Sequence, residues 1–280
     1  MTRASGTPAN PDEVERSLRD APSLSAMLAV TVAAHGPRPA LLDDGVSFTY
    51  DEFDQRVRGT AFALQRLGVK AGDRVAIVLP NCWEYAVTYF AIQAAGAVAV
   101  LVNIRFAEGE IAHVLSDSGA TVVVADETLS AKVPASANAV LAETLTNPGE
   151  TPADWRPVER ALRDPANLLY TSGTTGRPKG AIQTHGNLVY NAALNRSLFE
   201  HACEDRTLIA APFFHATGLN SQLIGMLSAG GQCVLQPSFK TATSLRLLAE
   251  HRITFFAGVA TMLQPVSYTH LRAHETGRNL

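Results

Sequence analysis

The chain has 280 residues, 46% of them hydrophobic and 18% charged, enough apolar material for one large buried core or two modest ones. A formal net charge of −3 excludes the broadly basic surface that holds nucleic acid or anionic lipid, so an anionic substrate must be met by local cations. Cys82, Cys203 and Cys233 lie far apart with no metal-like spacing, which suits small buried hydrophobes in a reducing compartment.

Residues 1–20 are polar and charged without an apolar signal core, and read as a leader or a short first helix. Ala26 to Ala34, the longest apolar stretch nearby, is too short to span a bilayer, so a soluble, cytoplasmic protein is expected. Leu24, Met27, Leu28 and Thr31 recur at helical spacing up to Gly36. Two short strands, Ala40 to Leu42 and Val46 to Phe48, flank an Asp-Asp-Gly turn. Thr49 and Glu52 form a capping box for a helix that carries Phe53, Val57, Ala61, Leu64 and Leu67 on one face and ends at Gly68.

The rhythm then becomes strand, helix, strand. Arg74 to Leu79 is an apolar run stopped by Pro80, and Asn81 and Glu84 are placed to cap a helix that reaches Gly96. Strand Ala97 to Val102, helix Glu108 to Ser116 and strand Ala120 to Ala125 follow. The apolar run Ala91 to Leu101 is read as core. Such alternation predicts an α/β fold with parallel strands and right-handed crossovers. Residues 126–164, broken by Pro134, Pro148, Pro152 and Pro157, read as an irregular surface excursion with one helical turn around Ala137 to Leu145. Beyond residue 180 the alternation resumes: helix Asn187 to about His201, strand Thr207 to Ala211, helix Gly218 to Ser228, strand Gln232 to Gln236, helix Thr241 to Glu250 and strand Ile253 to Ala257. There is no internal repeat and no low-complexity tract.

Between two of these strands lies Tyr170-Thr171-Ser172-Gly173-Thr174-Thr175-Gly176-Arg177-Pro178-Lys179-Gly180. Three glycines, four hydroxyl side chains, a lysine and an arginine share eleven residues. Glycines let successive N–H groups turn into one concave site, hydroxyls add short donors, and Lys179 adds a mobile point charge. A plain surface turn needs one or two glycines and gains nothing from the rest. A Walker-type loop requires Gly-Lys-Ser/Thr opening a helix, whereas Arg177-Pro178 separates Gly176 from Lys179 and a strand-like run follows. The loop suits polyphosphate in a setting of its own.

This stretch resembles the signature loop of the AMP-forming acyl-adenylate superfamily, which holds acyl-CoA synthetases, luciferases and peptide-synthetase adenylation domains. The resemblance implies that Thr171, Ser172, Gly173, Thr174, Thr175, Gly176 and Lys179 grip the β- and γ-phosphates of ATP, with Mg²⁺ bridging them. It implies acyl-AMP formation from a carboxylic acid, then transfer to a thiol, CoA in the synthetase branch. Element order over residues 20–264 is also similar to the large N-terminal domain of these enzymes, a layered α/β unit with parallel-rich sheets. Pro212-Phe213-Phe214-His215-Ala216-Thr217-Gly218-Leu219 resembles the family's acyl-pocket segment, making His215 the catalytic-site candidate beside the adenylate. Thr184-His185-Gly186-Asn187 resembles the step after the loop, with Asn187 as helix cap and His185 as a structural neighbour. Amino-acid-activating relatives place an aspartate near the pocket; no acidic residue lies between Asp205 and Glu250 here, so a fatty or aryl acid fits better.

The likeness stops after Leu263. Val266 to Leu280 lacks the apolar period of the helix expected there and resembles an adapter read-through tail, so residues 21–265 are taken as an incomplete AMP-binding domain and 266–280 as foreign or disordered. His270 and His274, spaced i, i+4, fall in that tail and are assigned no metal. The family's adenine cradle, magnesium glutamate and C-terminal lysine are not found, so an N-terminal fragment, inactive alone, is expected. The alternatives are a non-catalytic phosphate- or acyl-binding protein and an adenylating enzyme with another acceptor.

Overall fold

The computed structural model describes residues 11–147, 149–171, 177–258 and 262. The tail from Val266 onward lies outside the described residues.

Helix α1 (Pro11–Arg19) begins with proline at its first position, has Asp12 and Glu13 in its first turn and Arg19 in its last, as the helix dipole favours. Its Glu15 makes a two-point contact with the buried Arg196 at 3.0 and 3.1 Å, which docks α1 on the body of the protein. Helix α2 (Leu24–His35) is capped by Ser23, whose hydroxyl accepts from the Ala26 N–H at 3.2 Å. Strands β1 (Pro39–Asp43) and β2 (Val46–Thr49) form a hairpin whose turn residues Asp44 and Gly45 both have positive φ, 42° and 85°, as a type I′ turn requires. Helix α3 (Tyr50–Arg66) starts on the expected capping box between Thr49 and Glu52.

Strand β3 (Arg74–Val78), helix α4 (Trp83–Ala94), strand β4 (Val98–Leu101), helix α5 (Glu108–Ser118) and strand β5 (Ala120–Ala125) then alternate as predicted. Every residue of α4 from Tyr85 to Ala94 is buried, which fits a helix apolar all round with neighbours on every side. The capping expectation for this helix fails. Cys82 is its N-cap without a side-chain bond, and the Trp83 N–H is taken instead by Asp43 at the end of β1, 2.9 Å away. A carboxylate from another strand thus caps α4, and Asn81 is freed for a different task.

Residues 126–164 are more ordered than expected. Short helix α6 (Glu127–Ser130) leads to strand β6 (Ala139–Leu141), which adds to β5 in parallel register, and helix α7 (Ala142–Leu145) follows. Three residues are too few for a periodic signal, which is why β6 was hidden. Strands β7 (Pro165–Thr171) and β8 (Lys179–Thr184) come next. Helix α8 (His185–Phe199) is capped by Thr184, with Asn187 as the reciprocal third residue of the box, so it starts two residues before the expected Asn187.

Strand β9 (Arg206–Ile209) is followed by a π-helical segment, Thr217–Ile224, that runs into helix α9 (Gly225–Ser228), where an ordinary helix was expected. Strand β10 (Gln232–Leu235) and helix α10 (Thr241–Glu250) complete the described elements. The predicted strand Ile253 to Ala257 reduces to one parallel bridge, Thr207 with Phe255.

Two sheets result: β2-β1-β10-β9, and β6-β5-β3-β4-β7-β8. All strand pairs are parallel except the local hairpins β1/β2 and β7/β8. The expected mixed α/β architecture with parallel-rich sheets is therefore the observed one. Among the described residues no helix is long and apolar enough to cross a membrane, and all three cysteines are free.

Candidate functional site

The hairpin β7/β8 holds the loop singled out above. Its register runs Leu168 with Ile182, Leu169 with Ala181, Tyr170 with Gly180 and Thr171 with Lys179. The ladder therefore closes on two candidate residues, Thr171 and Lys179, both exposed. The other candidates of the loop, Ser172, Gly173, Thr174, Thr175 and Gly176, lie outside the described residues. Side chains alternate across a strand, so Thr171 and Lys179 share one face of the stem while Tyr170 and Gly180 share the other.

That other face meets α5. The Tyr170 hydroxyl donates to Asp117 Oδ2 at 2.6 Å, and burial together with that carboxylate pushes the phenol well above its ordinary pKa. The ring can lie there because residue 180 is glycine: a Cβ would stand 2.9 Å from Tyr170 Cζ. One turn earlier on the same helix, His113 Nε2–H donates to the Pro178 carbonyl at 3.1 Å. Beside this contact Gly109, Glu110, His113, Ser116, Arg177 and Pro178 line an open cavity of about 420 Å³.

The stem stands at the carboxyl end of β7, beside the carboxyl end of its parallel neighbour β4, with β3 one strand further in, where open α/β sheets place ligands. From β4 the chain runs through Arg105. From β3 it runs through Asn81, a buried residue whose Nδ2 donates to the Ala211 carbonyl and whose Oδ1 accepts from the Phe213 N–H, both at 2.8 Å. Ala211 and Phe213 follow β9 of the other sheet and lead to His215. The turn is tight, since a Cβ on Gly218 would stand 2.3 Å from the Ala211 carbonyl.

His215 is exposed, with its ring 4.7 Å from that of Phe214. Partial desolvation and the positive charge of Arg105 hold its pKa below the usual histidine value, so it is neutral at pH 7. The structure thus pairs Thr171 with Lys179 on one sheet and sets His215 apart, past β9 of the other, within electrostatic reach of Arg105. His185 has a different neighbour from the one expected. It is buried, and its Nδ1 accepts from the Leu24 N–H at 3.3 Å, so it supports the start of α2.

Sequence reasoning missed His113 and Asp117, and it read Asn81 as a helix cap where the structure has it bonded to Ala211 and Phe213. His113 and Asp117 share the observed helix α5, but the expected helix stopped at Ser116, one residue short of Asp117, and a four-residue spacing signals one shared face but not what it meets. Among the described residues no group of three or more His, Cys, Asp or Glu side chains could hold a metal ion.

Comparison with known proteins adds an independent line. The family described as AMP-binding enzyme matches residues 28–278, a span that runs into the tail set apart from residue 266. Feruloyl-CoA synthase of Amycolatopsis sp is 39% identical over 232 residues, covering 81% of this chain and 47% of that protein. 4-Coumarate–CoA ligase of Pinus taeda is 32% identical over 258 residues, covering 84% and 47%. Among solved structures, o-succinylbenzoate CoA synthetase from Bacillus subtilis in complex with its acyl-adenylate intermediate superposes with a TM-score of 0.79 at 29% identity, covering 86% of this chain and 63% of that one. The chain spans about half the length of the curated relatives it matches.

Proposed function

The chain belongs to the AMP-binding enzyme family, and from that premise we propose that the whole protein is a cytoplasmic acid–thiol ligase that makes an acyl-CoA through an acyl-adenylate. In the first step a carboxylate oxygen of the acid attacks the α-phosphorus of ATP, the α–β phosphoanhydride bond breaks, and pyrophosphate leaves with its electron pair. In the second the CoA sulfur attacks the acyl carbonyl carbon, AMP leaves, and the thiol proton passes to solvent.

The observation that carries this reading is the closing rung of the β7/β8 hairpin, Thr171 with Lys179, at the carboxyl end of a parallel sheet. Lys179 supplies a point charge for the β- and γ-phosphates, and the Thr171 hydroxyl and its backbone supply donors, with Ser172 to Gly176 completing the grip. Pre-placed donors where negative charge gathers on a leaving pyrophosphate are the largest aid a protein can give such a step. Among the described residues no group of three or more His, Cys, Asp or Glu side chains could hold a metal ion, and no step is routed through Mg²⁺.

His215 borders the acyl side. A neutral imidazole beside Arg105 offers a donor or an acceptor without adding a second positive charge. Phe213 and Phe214 are buried beside it, and the absence of acid groups from 206 to 249 leaves a substrate ammonium without a partner. Both facts, and relatives named for feruloyl and 4-coumarate thioesters, support an acid with an apolar aryl or fatty body. The test is ATP–pyrophosphate exchange by the full-length enzyme over a panel of aryl, fatty and amino acids. Exchange with aryl or fatty acids is expected. Silence with every acid would sink the ligase reading, and exchange with amino acids alone would overturn the substrate class.

A further inference from the structure

We propose that His113 and Asp117 are positioning residues that set the phosphate-facing rung of the site by bracing its hairpin from behind. The proposal rests on reading Thr171 and Lys179 as phosphate ligands, and it adds residues that this reading does not require.

Strand β8 is the outer strand of the six-stranded sheet, and Lys179 to Ile182 are all exposed. Its ladder with β7 is the bonding that the sheet itself provides. A two-stranded ribbon at a sheet edge twists more readily than an inner pair. Helix α5 counters this by holding both limbs at once. Asp117 takes the Tyr170 hydroxyl on the incoming strand, and His113 donates to the Pro178 carbonyl on the outgoing one. The two helix residues are one turn apart on one face, so the limbs are tied to a single rigid element.

The tie points flank the rung closely. Tyr170 immediately precedes Thr171, and Pro178 immediately precedes Lys179. Gly180 admits the Tyr170 ring that makes the first tie possible. Because Tyr170 and Gly180 face α5, Thr171 and Lys179 face away from it, toward the open side. The brace therefore fixes the direction in which Lys179 leaves the sheet without touching what Lys179 binds. Reactivity at a phosphorus centre depends steeply on sub-ångström placement, so such bracing bears on function more than on folding.

Exchange kinetics on the full-length enzyme test this. Asp117→Ala and His113→Leu should each raise KM for ATP roughly five- to tenfold, the loss of about one hydrogen bond's worth of alignment. KM for the acid should stay within about twofold, and the melting temperature should hold. Asp117→Asn and His113→Gln, which restore an acceptor and a donor, should recover most of the loss. Tyr170→Phe, which keeps the ring over Gly180, should match Asp117→Ala, and the double variant should be no worse than either alone. If Asp117→Ala folds poorly, Tyr170→Phe carries the same prediction. An unchanged KM for ATP, or equal shifts in both KM values, would overturn the brace alone. An unmodified enzyme with no ATP-dependent exchange would overturn the phosphate reading, and the positioning role with it.

Discussion

Asn81 and Phe213 join the two sheets at the mouth of the site: the Asn81 carboxamide oxygen accepts from the Phe213 N–H at 2.8 Å while its amide donates to the Ala211 carbonyl at 2.8 Å. One side chain at the end of β3 thus satisfies two backbone groups just past β9. Asn81→Ala would leave both groups buried and unpaired. The expected cost is about 2 kcal/mol or more, read as a lower midpoint in urea. Asn81→Asp keeps the acceptor and loses the donor, and should also destabilise because it buries a charge. A midpoint unchanged in both variants would show that the contact carries no energy.

Gly180→Ala should undo the Tyr170–Asp117 hydrogen bond, because the new methyl would meet the ring at 2.9 Å and the ring is held at its far end. Overpacking of this kind costs about 1–3 kcal/mol. Amide hydrogen exchange at residues 168–171 and 179–182 should quicken ahead of exchange in β3 and β4. Uniform acceleration across the sheet would contradict a local effect.

Asp43 titrates unusually. Burial raises its pKa to about 6 against the pull of the Trp83 N–H, and the nearby Glu84 and Asp44 add to the rise. The folded chain holds this proton more tightly than the unfolded one, so its contribution is full below about pH 4 and disappears as pH rises toward 6. Above that, the protein carries a buried charge at a cost on the order of 3 kcal/mol. Asn can keep the bond to Trp83, so Asp43→Asn should raise stability at pH 7.5 and lose that advantage near pH 4. Thermal melts of both proteins across this range check it.

His185 has the opposite sign. Burial and then the charge of Arg160 depress its pKa to about 4, with Asp164 opposing them weakly. The folded chain binds this proton less well than the unfolded one, so stability is full above about pH 6.5 and falls as pH drops toward 4. Protonation would turn the acceptor of the Leu24 N–H into a competing donor. His185→Asn, whose carboxamide oxygen can stand in for Nδ1, should flatten the acid limb of the melting profile. A limb equally steep in the variant would assign the acid sensitivity elsewhere.

Much of this was legible from residue order, and the reasons differ by element. The strands β3, β4 and β5 announce themselves as buried apolar runs, and the Thr49/Glu52 box marks the start of α3, because these signals are local. Strand β6 was not legible, since a three-residue edge strand is defined by its partner β5 and not by its own pattern. Asn81 was misassigned for a related reason. Its position before a helix satisfies the local rule for a cap, but a carboxylate from β1 reaches Trp83 and the carboxamide finds its partners just past β9. The glycine-rich string singled out Thr171 and Lys179 as candidates, and the structure pairs them on the last rung of the β7/β8 hairpin. His113 and Asp117 were not legible, because nothing in their own segment says that a hairpin fifty residues later will pack against it.

Strand β1 pairs in parallel with β10, Leu41 against Cys233, about 190 residues further along the chain. A ribosome adding about 5–20 residues per second takes roughly 10–40 s to deliver that partner. During this interval the β1/β2 hairpin has one finished edge and one open edge, and Leu41, later fully buried, has nothing from β10 to cover it. The six-stranded sheet has no such gap, since β3, β4 and β5 emerge within some fifty residues of one another. During synthesis, then, the sheet that will carry the β7/β8 hairpin can assemble first, while the N-terminal hairpin is the segment on which a holding chaperone would have most to cover.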